Sequence, residues 1–429
     1  MTNSTALDNP NDAKPGERLA ESFSAVGIGA SAGGIKPLQT FFEKMPGHSG
    51  MAFVVVMHLS PDHPSSLAQI LQQRTEMPVL QLTQSVRLEA DHVYVIPPNK
   101  HLTVAEGMLC LVEPQQPPGQ RVAIDLFFRT LSAAFGPRAL CIVLSGTDSD
   151  GAIGIKHIKE QGGVTIVQDP MESEYDSMPR SALATGMVDW VLPVADIPAR
   201  LVRFARNELR MHIPPDDAEE GETKEADDSN SGGPLTIQQT PSTTDESALV
   251  DVMRFLHSQT GHDFSHYKRA TILRRVARRL QVNLLETLPA YLEFLRTHTS
   301  ETSALLHDLL ISVTNFFRDR DAFKALAAYI PQLFAGKEPS DQVRVWVAGC
   351  ATGEEAYSIA MLLYEHASRL DSPPAIQVFA TDIDDEVIRF ARTGLFPPTI
   401  EADVSAERLR RFFQKDMGRY RIKKLTFRL

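Results

Sequence analysis

A serine, a histidine and an aspartate each follow a short apolar run, and these three residue types together can perform nucleophilic catalysis. Ser31 stands among four glycines, and His58 and Asp150 follow the apolar runs 53–57 and 139–144. If these runs are parallel strands, their carboxyl ends meet at one edge of a sheet, where ligands bind. The sequence therefore predicts a catalytic triad of Ser31, His58 and Asp150.

Each of the three residues also has an ordinary structural explanation. Ser31 is a candidate helix cap, His58 a candidate polar loop residue, and Asp150 a candidate turn former before a glycine. Taken one at a time, these explanations are the more frequent. The occurrence of all three residues at strand ends favours the triad.

The glycines before Ser31 suggest a second interpretation, a dinucleotide-binding turn. Gly27 and Gly29 begin the required G-x-G-x-x-G pattern, but Ala32 stands where the third glycine belongs. The next apolar strand ends in His58 and not in an acid that would bind ribose. The helix predicted after the turn would present its N–H groups and positive dipole end to a developing negative charge. These features favour a nucleophile over a dinucleotide site.

Five motifs in the first half of the chain resemble the catalytic domain of the chemotaxis receptor methylesterase. They are Gly29-Ala-Ser31-Ala-Gly-Gly34, Met57-His58 with Pro61 following, and the segments 93–101, 144–151 and 163–170. The alternation of apolar strands and helical stretches predicts a doubly wound α/β domain with a parallel sheet, which we place at 22–213. The resemblance implies a protein-glutamate methylesterase that also deamidates receptor glutamines.

The resemblance also implies roles for individual residues. Ser31 would attack the ester, His58 would carry the proton and Asp150 would orient the imidazole. Backbone N–H groups at Thr147 and in the serine turn would hold the oxyanion. Arg180 is either a contact for an acidic substrate or a solvated surface residue. The family often has a threonine after its serine, whereas this chain has an alanine, and no phosphate-accepting receiver domain precedes this part, which implies a different control.

Two segments are predicted to remain unfolded. Residues 1–21 are rich in Asn, Asp, Pro and Ser, and residues 214–247 form an acidic linker followed by a Ser/Gly/Pro stretch. Neither segment has enough apolar residues to form a core. The domains on the two sides of the linker are therefore expected to be tethered to each other.

After the linker, four segments with apolar residues at helical spacing predict a small all-helical domain, residues 248–335. The segments are 249–256, 271–280, 288–297 and 303–312. One of them carries a basic stripe, made of Lys268, Arg269, Arg274, Arg275, Arg278 and Arg279. The stripe is either a solvated helix face or a site for acidic receptor helices. A nucleic-acid helix is disfavoured, because stacking aromatics and a known binding motif are missing.

A glycine-containing turn after the strand 343–347 and an acid after the strand 376–381 form a nucleotide-binding arrangement. With the segment 313–319, these features resemble the chemotaxis receptor methyltransferase, which uses S-adenosylmethionine. The matching cofactor-binding positions are Thr314, Arg318, Gly349, Gly353, Glu354 and Asp382. The family often has an asparagine where this chain has Ser312. Since the family's sheet continues beyond Leu429, we expect a partial domain at 336–429, an incomplete cofactor pocket and no methyl transfer.

Composition limits the remaining functions. The 429 residues are 43% hydrophobic, with a net charge of −11 and three widely spaced cysteines, Cys110, Cys141 and Cys350. The charge and the cysteine spacing predict a cytoplasmic protein with no disulfide framework, no metal site and no nucleic-acid partner. No run of eighteen apolar residues occurs, which predicts no membrane insertion. The resemblance implies that the esterase needs no cofactor. The expected partners are methyl-accepting chemotaxis receptors, with sensor or response-regulator proteins as further partners. The alternative hypothesis is a signalling scaffold that binds receptor tails without turnover.

Overall fold

The computed structural model describes residues 23–58, 65–113, 123–208, 210–211, 243–310, 313–397, 400–401, 403–416 and 419–423. The chain divides into two compact units, with the boundary between Leu309 and Leu310. The first unit contains an N-terminal domain, residues 23–211, and a helical domain, residues 243–309. The predicted unfolded N-terminus 1–21 and most of the predicted linker lie outside the described residues. Residues 243–247, predicted as linker, form the first turn of a helix.

The N-terminal domain is built on a seven-stranded sheet in the order β10-β9-β8-β1-β2-β5-β3, in which every neighbouring pair is parallel. Its strands are β1 (Ser24–Ala30), β2 (Met51–Met57), β3 (Val79–Gln81), β5 (Val93–Val95), β8 (Ala139–Val143), β9 (Val164–Gln168) and β10 (Trp190–Leu192). A small antiparallel sheet in the order β4-β7-β6 contains β4 (Val86–Arg87), β6 (His101–Ala105) and β7 (Met108–Val112). The predicted doubly wound α/β fold is confirmed.

Helices cover both faces of the large sheet. They are α1 (Ile35–Lys44), α2 (Leu67–Gln72), α3 (Ala123–Phe135), α4 (Ala152–Glu160), α5 (Ser177–Leu183) and α6 (Ile197–Glu208). Alternate residues of β1 enter two separate cores, with Val26 and Ile28 on one face and Ala25 on the other. Strands that are buried on both faces explain why the sequence shows continuous apolar runs.

Gly27 and Gly29 have a packing role in β1. A Cβ at Gly27 would lie 2.9 Å from the rings of Phe127 and Phe128, and one at Gly29 would lie 2.6 Å from Ile124. The two glycines therefore let α3 pack directly against the strand. This close approach explains the Gly-x-Gly pattern without a dinucleotide.

The helical domain contains α7 (Thr243–Thr260), α8 (Arg269–Val282), α9 (Leu288–Thr297) and α10 (Thr299–Leu309). The predicted helical segments 249–256, 271–280 and 288–297 are confirmed, and the segment predicted at 303–312 is helical as far as Leu309, with residues 311–312 outside the described residues. The domain packs against the N-terminal domain, where Val282 joins the core that contains Trp190. The Val282 carbonyl accepts hydrogen bonds from Trp190 Nε1 at 3.2 Å and from Arg200 at 2.8 Å. The two domains are thus in direct contact, in addition to being tethered.

An ion cluster lies at this contact. Arg278 donates to the carboxylates of Asp189 and Asp308, and its Nε donates to the Gly163 carbonyl at 3.0 Å. Lys159 Nζ lies 3.3 Å from Asp189 and 3.2 Å from Asp308. Both carboxylates are fully buried. Since Gly163 and Asp189 directly precede β9 and β10, the cluster lies at the amino end of these strands.

Two further arginines of α8 are buried at the same place. Arg279 binds Glu301 through Nε at 2.8 Å, and Arg275 donates to the Glu160 carbonyl at 2.9 Å. The interpretation of the basic stripe as a solvated or receptor-binding face is therefore wrong for Arg275, Arg278 and Arg279, which are all buried. Carboxylates neutralise the charges of these arginines, and backbone carbonyls accept their remaining hydrogen bonds, from groups that are distant in the sequence. Arg274 remains exposed.

The second unit contains two small sheets. A parallel pair is formed by β11 (Gln342–Ala348) and β12 (Ala375–Thr381), and an antiparallel sheet in the order β13-β15-β14 by β13 (Leu395–Phe396), β14 (Phe413–Asp416) and β15 (Arg419–Ile422). Its helices are α11 (Arg320–Phe334), α12 (Glu354–Ala367), α13 (Asp385–Thr393) and α14 (Ala406–Phe412). Helix α11, which the sequence grouped with the helical domain, contributes Ile330 and Phe334 to the core of this unit.

Candidate active site

Ser31 is the first residue after β1, in the turn that leads to α1. Its backbone N–H donates to the Ser145 carbonyl at 3.0 Å, and the Gly34 N–H donates to the Ser31 carbonyl at 3.0 Å. Gly33 has a φ of +73°, a left-handed conformation that glycine adopts without strain. These bonds fix the serine side chain at the carboxyl edge of the sheet.

His58 is held beside this serine by the pairing of β2 with β1. Its backbone N–H donates to the Ala30 carbonyl at 3.3 Å, and its side chain is 10% exposed. The ring nitrogen Nδ1 lies 3.2 Å from Ser31 Oγ, and Nε2 lies 2.9 Å from Asp150 Oδ2. Because an ionised carboxylate only accepts hydrogen bonds, the proton belongs on Nε2. The Nδ1 lone pair then faces the serine hydroxyl, as a general base requires.

Asp150 is anchored at the N-terminus of α3. Its Oδ2 accepts the Ile124 N–H and its Oδ1 accepts the Asp125 N–H, both at 2.9 Å. Two backbone donors and the positive end of the helix stabilise a buried negative charge. The structure therefore brings Ser31, His58 and Asp150 into one hydrogen-bonded chain.

Asp125 makes the reciprocal contact with the next helix. Its Oδ1 accepts N–H groups of Ile153 at 2.9 Å and Gly154 at 2.7 Å, in the first turn of α4. Burial raises the pKa of Asp125 well above the usual carboxyl value, and the nearby charge of Asp150 raises it further. Asp150 thus binds the start of α3, which contains Asp125, and Asp125 binds the start of α4, which follows Asp150. Sequence reasoning missed Asp125, because an acid in the first turn of a helix is an ordinary feature.

Two more titratable side chains surround the imidazole. Asp148 Oδ2 lies 3.6 Å from His58 Nδ1, and its Oδ1 accepts the Asp150 N–H at 3.2 Å. His101, the first residue of β6, has its pKa lowered, mainly by burial; the charge of Asp150 opposes this shift and that of His58 adds to it. Both residues lie within motifs quoted from the sequence, Asp148 in the turn between β8 and α4 and His101 at the start of β6.

The predicted oxyanion donors are partly available. The N–H of Ser31 itself is bound to Ser145. Within the described part of the chain, the N–H groups of Ala32, Gly33 and Thr147 donate to no acceptor. Ala32 and Gly33 directly follow Ser31, and Thr147 follows Gly146, at which an added Cβ would lie 3.0 Å from Ser31 Cβ. These three N–H groups are therefore the candidates to receive a negatively charged oxygen.

The segment before α5 lies against the serine turn. Ser145 Oγ donates to the Ala32 carbonyl at 3.0 Å and accepts the Tyr175 N–H at 3.0 Å. Arg180, predicted either to contact substrate or to be solvated, is largely exposed and donates at 2.5 Å to Asp176, the residue that directly precedes its helix α5. Its side chain is thus directed to a neighbouring carboxylate.

A second candidate site lies in the second unit, where the turn after β11 meets the end of β12. Asp382 Oδ2 accepts the Ala351 N–H at 2.8 Å, which fastens the turn to the acid. A Cβ added at Gly349 would meet no atom within 4 Å, so a ligand has room against the backbone. Gly353, with φ +97°, precedes Glu354 in the first turn of α12. The structure therefore brings Gly349, Gly353, Glu354 and Asp382 to one strand edge.

The segment 313–318 packs beside the first turn of α12. The Phe317 N–H donates to Ser358 Oγ at 3.1 Å, and this hydroxyl donates to the Glu354 carbonyl at 2.7 Å. Arg318 donates to the Val313 carbonyl at 2.7 Å, which closes the segment on itself. Thr314, which lies between Val313 and Arg318 in the sequence, is half-buried. The predicted positions of this segment thus belong to the same neighbourhood.

The described residues contain neither a membrane-spanning helix nor a metal-binding cluster. No helix among them is both long enough and apolar enough to span a bilayer. No group of three or more His, Cys, Asp or Glu side chains in the same residues is arranged to hold a metal ion.

Comparison with family models gives three matches along the chain. Residues 26–201 match the CheB methylesterase model, residues 248–310 the all-alpha domain of CheR methyltransferase, and residues 312–427 the SAM-binding domain of CheR methyltransferase. The N-terminal domain thus carries a methylesterase module, and the remainder carries methyltransferase modules.

Curated relatives match different parts of the chain. An uncharacterised 104.1 kDa protein of Rhodobacter capsulatus is 36% identical over 83% of this chain, which spans 37% of that protein. A putative protein-glutamate methylesterase/protein-glutamine glutaminase of Leptospira interrogans is 33% identical over 44% of this chain and 98% of that protein. The corresponding enzyme of Pyrococcus abyssi is 34% identical over 42% of this chain and half of its own length. Among solved structures, the Thermotoga maritima CheB methylesterase catalytic domain matches with a TM-score of 0.40 and 28% identity, over 42% of this chain and 98% of that chain.

Proposed function

Since the chain belongs to the CheB methylesterase family through its N-terminal domain, we propose that it hydrolyses the methyl esters of glutamate side chains in chemotaxis receptors. The observation that carries this proposal is the hydrogen-bonded chain from Ser31 Oγ through the His58 ring to Asp150. The relatives' names supply the substrate class, protein glutamate, and the family supplies the receptors as its source.

The reaction begins with attack of Ser31 Oγ on the ester carbonyl carbon, while the hydroxyl proton moves to His58 Nδ1. The carbonyl oxygen becomes negatively charged and receives the N–H groups of the serine turn and of Thr147. When the C–O bond to the methoxy group breaks, Nδ1–H gives its proton to the departing oxygen, and methanol leaves. A water molecule then repeats the sequence on the acyl-enzyme and releases glutamate.

Asp150 keeps its charge throughout this cycle. Its Oδ2 holds the Nε2–H, which fixes the ring tautomer and faces the positive charge on the imidazolium. The same steps act on a glutamine side chain with ammonia as the leaving group. Deamidation is therefore a second candidate activity of the same site, supported by the glutaminase part of the relatives' names.

The second unit is proposed to bind S-adenosylmethionine, in agreement with the family model that it matches. Asp382 and Glu354 would accept hydrogen bonds from the ligand's hydroxyl and amino groups, and the open backbone at Gly349 would admit it closely. The cofactor, when bound, supplies an electrophilic methyl group for glutamate carboxylates.

The proposal is tested by incubating the whole chain with receptors that carry radiolabelled methyl esters and measuring volatile methanol. We expect release above the spontaneous rate. The matched control is the same receptor with its methylation-site glutamates replaced by aspartates, from which little methanol should be formed. Equal release with and without the chain would contradict the proposal.

A further inference from the structure

Two carboxylates approach the His58 ring, and each lies near a different nitrogen. Asp150 Oδ2 lies 2.9 Å from Nε2, whereas Asp148 Oδ2 lies 3.6 Å from Nδ1. Asp148 is two residues before the triad aspartate, and its side chain is 32% exposed. The triad mechanism uses Asp150 and leaves Asp148 without a role.

We propose that Asp148 is a second counter-ion for the His58 imidazolium, stabilising the positive charge that forms when Ser31 gives up its proton. This inference rests on the proposed esterase function. Asp148 acts through His58 and does not touch the reacting ester, so it is a positioning residue. It keeps its own charge throughout, while the proton moves from Ser31 Oγ to Nδ1 and then to the departing methoxy oxygen.

The distances from His58 Nδ1 to Asp148 and to Ser31 indicate that Asp148 has little effect on the neutral ring and attracts the protonated ring. At 3.6 Å, Asp148 is too far for a hydrogen bond to Nδ1, so it does not displace Ser31 Oγ at 3.2 Å. Once Nδ1 carries the proton, the ring is a cation, and an anion at this distance attracts it. The attraction is larger in the transition state than in the ground state, which is the condition for a catalytic contribution.

Asp148 is also held in place before the reaction. Its Oδ1 accepts the Asp150 N–H at 3.2 Å within the turn that presents both aspartates. A charge fixed by the backbone contributes without a reorganisation cost at the moment of reaction. One turn therefore positions both carboxylates, Asp148 and Asp150, beside the His58 ring.

Other titratable groups surround the ring on different sides. Asp150 binds Nε2, Asp125 faces Asp150, and His101 interacts electrostatically with both His58 and Asp150. Among the described residues, Asp148 is the carboxylate on the Nδ1 side, where the serine proton arrives.

The test is Asp148→Asn, which keeps an oxygen to accept the Asp150 N–H and removes the charge. Without this anion, the protonated ring is less favoured, so the acidic limb of the pH–rate profile moves to lower pH by about 0.5–1 unit. The same lost attraction lowers the rate at the plateau about three- to tenfold. The Asp148→Glu variant retains the charge and should recover most of the rate.

Two measurements on the whole chain decide the result. The first is hydrolysis of p-nitrophenyl acetate from pH 4.5 to 9, with the rate of Ser31→Ala subtracted. The second is an NMR titration of the His58 ring, assigned with His58→Gln, which needs no substrate. The control is Glu43→Gln at the end of α1, which removes one negative charge at the opposite edge of the sheet and should leave both curves unchanged.

The outcomes separate this inference from the proposed function. A lower titration midpoint in Asp148→Asn, with a matching shift of the acidic limb, supports the second counter-ion. An unchanged or higher midpoint refutes it, even when hydrolysis depends on Ser31. If hydrolysis does not depend on Ser31, the esterase proposal fails, while the NMR titration still decides the role of Asp148.

Discussion

Replacing Arg278 with methionine should destabilise the contact between the N-terminal and helical domains. The cluster contains three cations and three carboxylates, namely Lys159, Arg278 and Arg279 with Asp189, Asp308 and Glu301. Burial acts to raise the pKa of Asp189, but the charges of Arg278, Lys159 and Arg279 outweigh it and lower that pKa below its usual value. The variant leaves one buried negative charge uncompensated. Such a loss costs about 3–5 kcal/mol.

The assay is urea unfolding followed by the fluorescence of Trp190, whose ring nitrogen bonds to Val282 across the contact. Trp346, the other tryptophan, is first changed to phenylalanine. Arg274→Met, on the exposed side of the same helix, is the matched control and should change stability by less than about 0.5 kcal/mol. The double variant Arg278→Met, Asp308→Asn balances the charges again and should recover part of the loss.

A loss for Arg278→Met no larger than that for Arg274→Met would refute the cluster. A double variant that is less stable than Arg278→Met by the full cost of a second broken pair would refute the charge-balance argument. In that case, hydrogen bonding to Asp308, and not its charge, would hold the contact.

Two further predictions concern carboxylates whose surroundings are unusual. Burial and the Asp150 charge raise the pKa of Asp125, so the stability that this residue contributes is fully present below the unfolded pKa of about 3.9 and is lost as pH rises toward the folded pKa. Asp125→Asn should therefore raise the urea midpoint at pH 7 and leave it unchanged near pH 4. A lower midpoint at pH 7 would contradict this argument. Asp382→Ala should weaken S-adenosylmethionine binding at least about tenfold by calorimetry, since one charge-assisted hydrogen bond is lost; the exposed Asp371→Ala is its control, and equal weakening by both variants would contradict the site.

The triad could be predicted from the sequence because its geometry follows from a general rule. Residues that directly follow parallel strands meet at one edge of the sheet, so Ser31 and His58 needed only the positions of their strands. Asp150 is seven residues beyond the end of β8, but the intervening turn returns it to α3. The rule does not locate side chains of residues within a helix or a turn. The positions of Asp125 and Asp148 close to the triad were therefore not predicted.

The basic stripe shows the opposite case, in which a local pattern was correctly seen and wrongly interpreted. Arg278 pairs with Asp189, which is 89 residues away, and with the carbonyl of Gly163, which is 115 residues away. Spacing along one helix cannot show which distant groups neutralise its charges. The same limit applied to Gly27 and Gly29, whose close neighbours come from α3 about a hundred residues later.

The measurement that tests the account most directly is methanol release from labelled receptors by Ser31→Ala. The account predicts a rate at least about 10⁴-fold lower than that of the unaltered chain, since the nucleophile is lost. Ser258→Ala, on the exposed face of α7, should retain the full rate, and circular dichroism should show that both variants are folded. A Ser31→Ala variant that is folded and releases methanol at a comparable rate would contradict the serine mechanism.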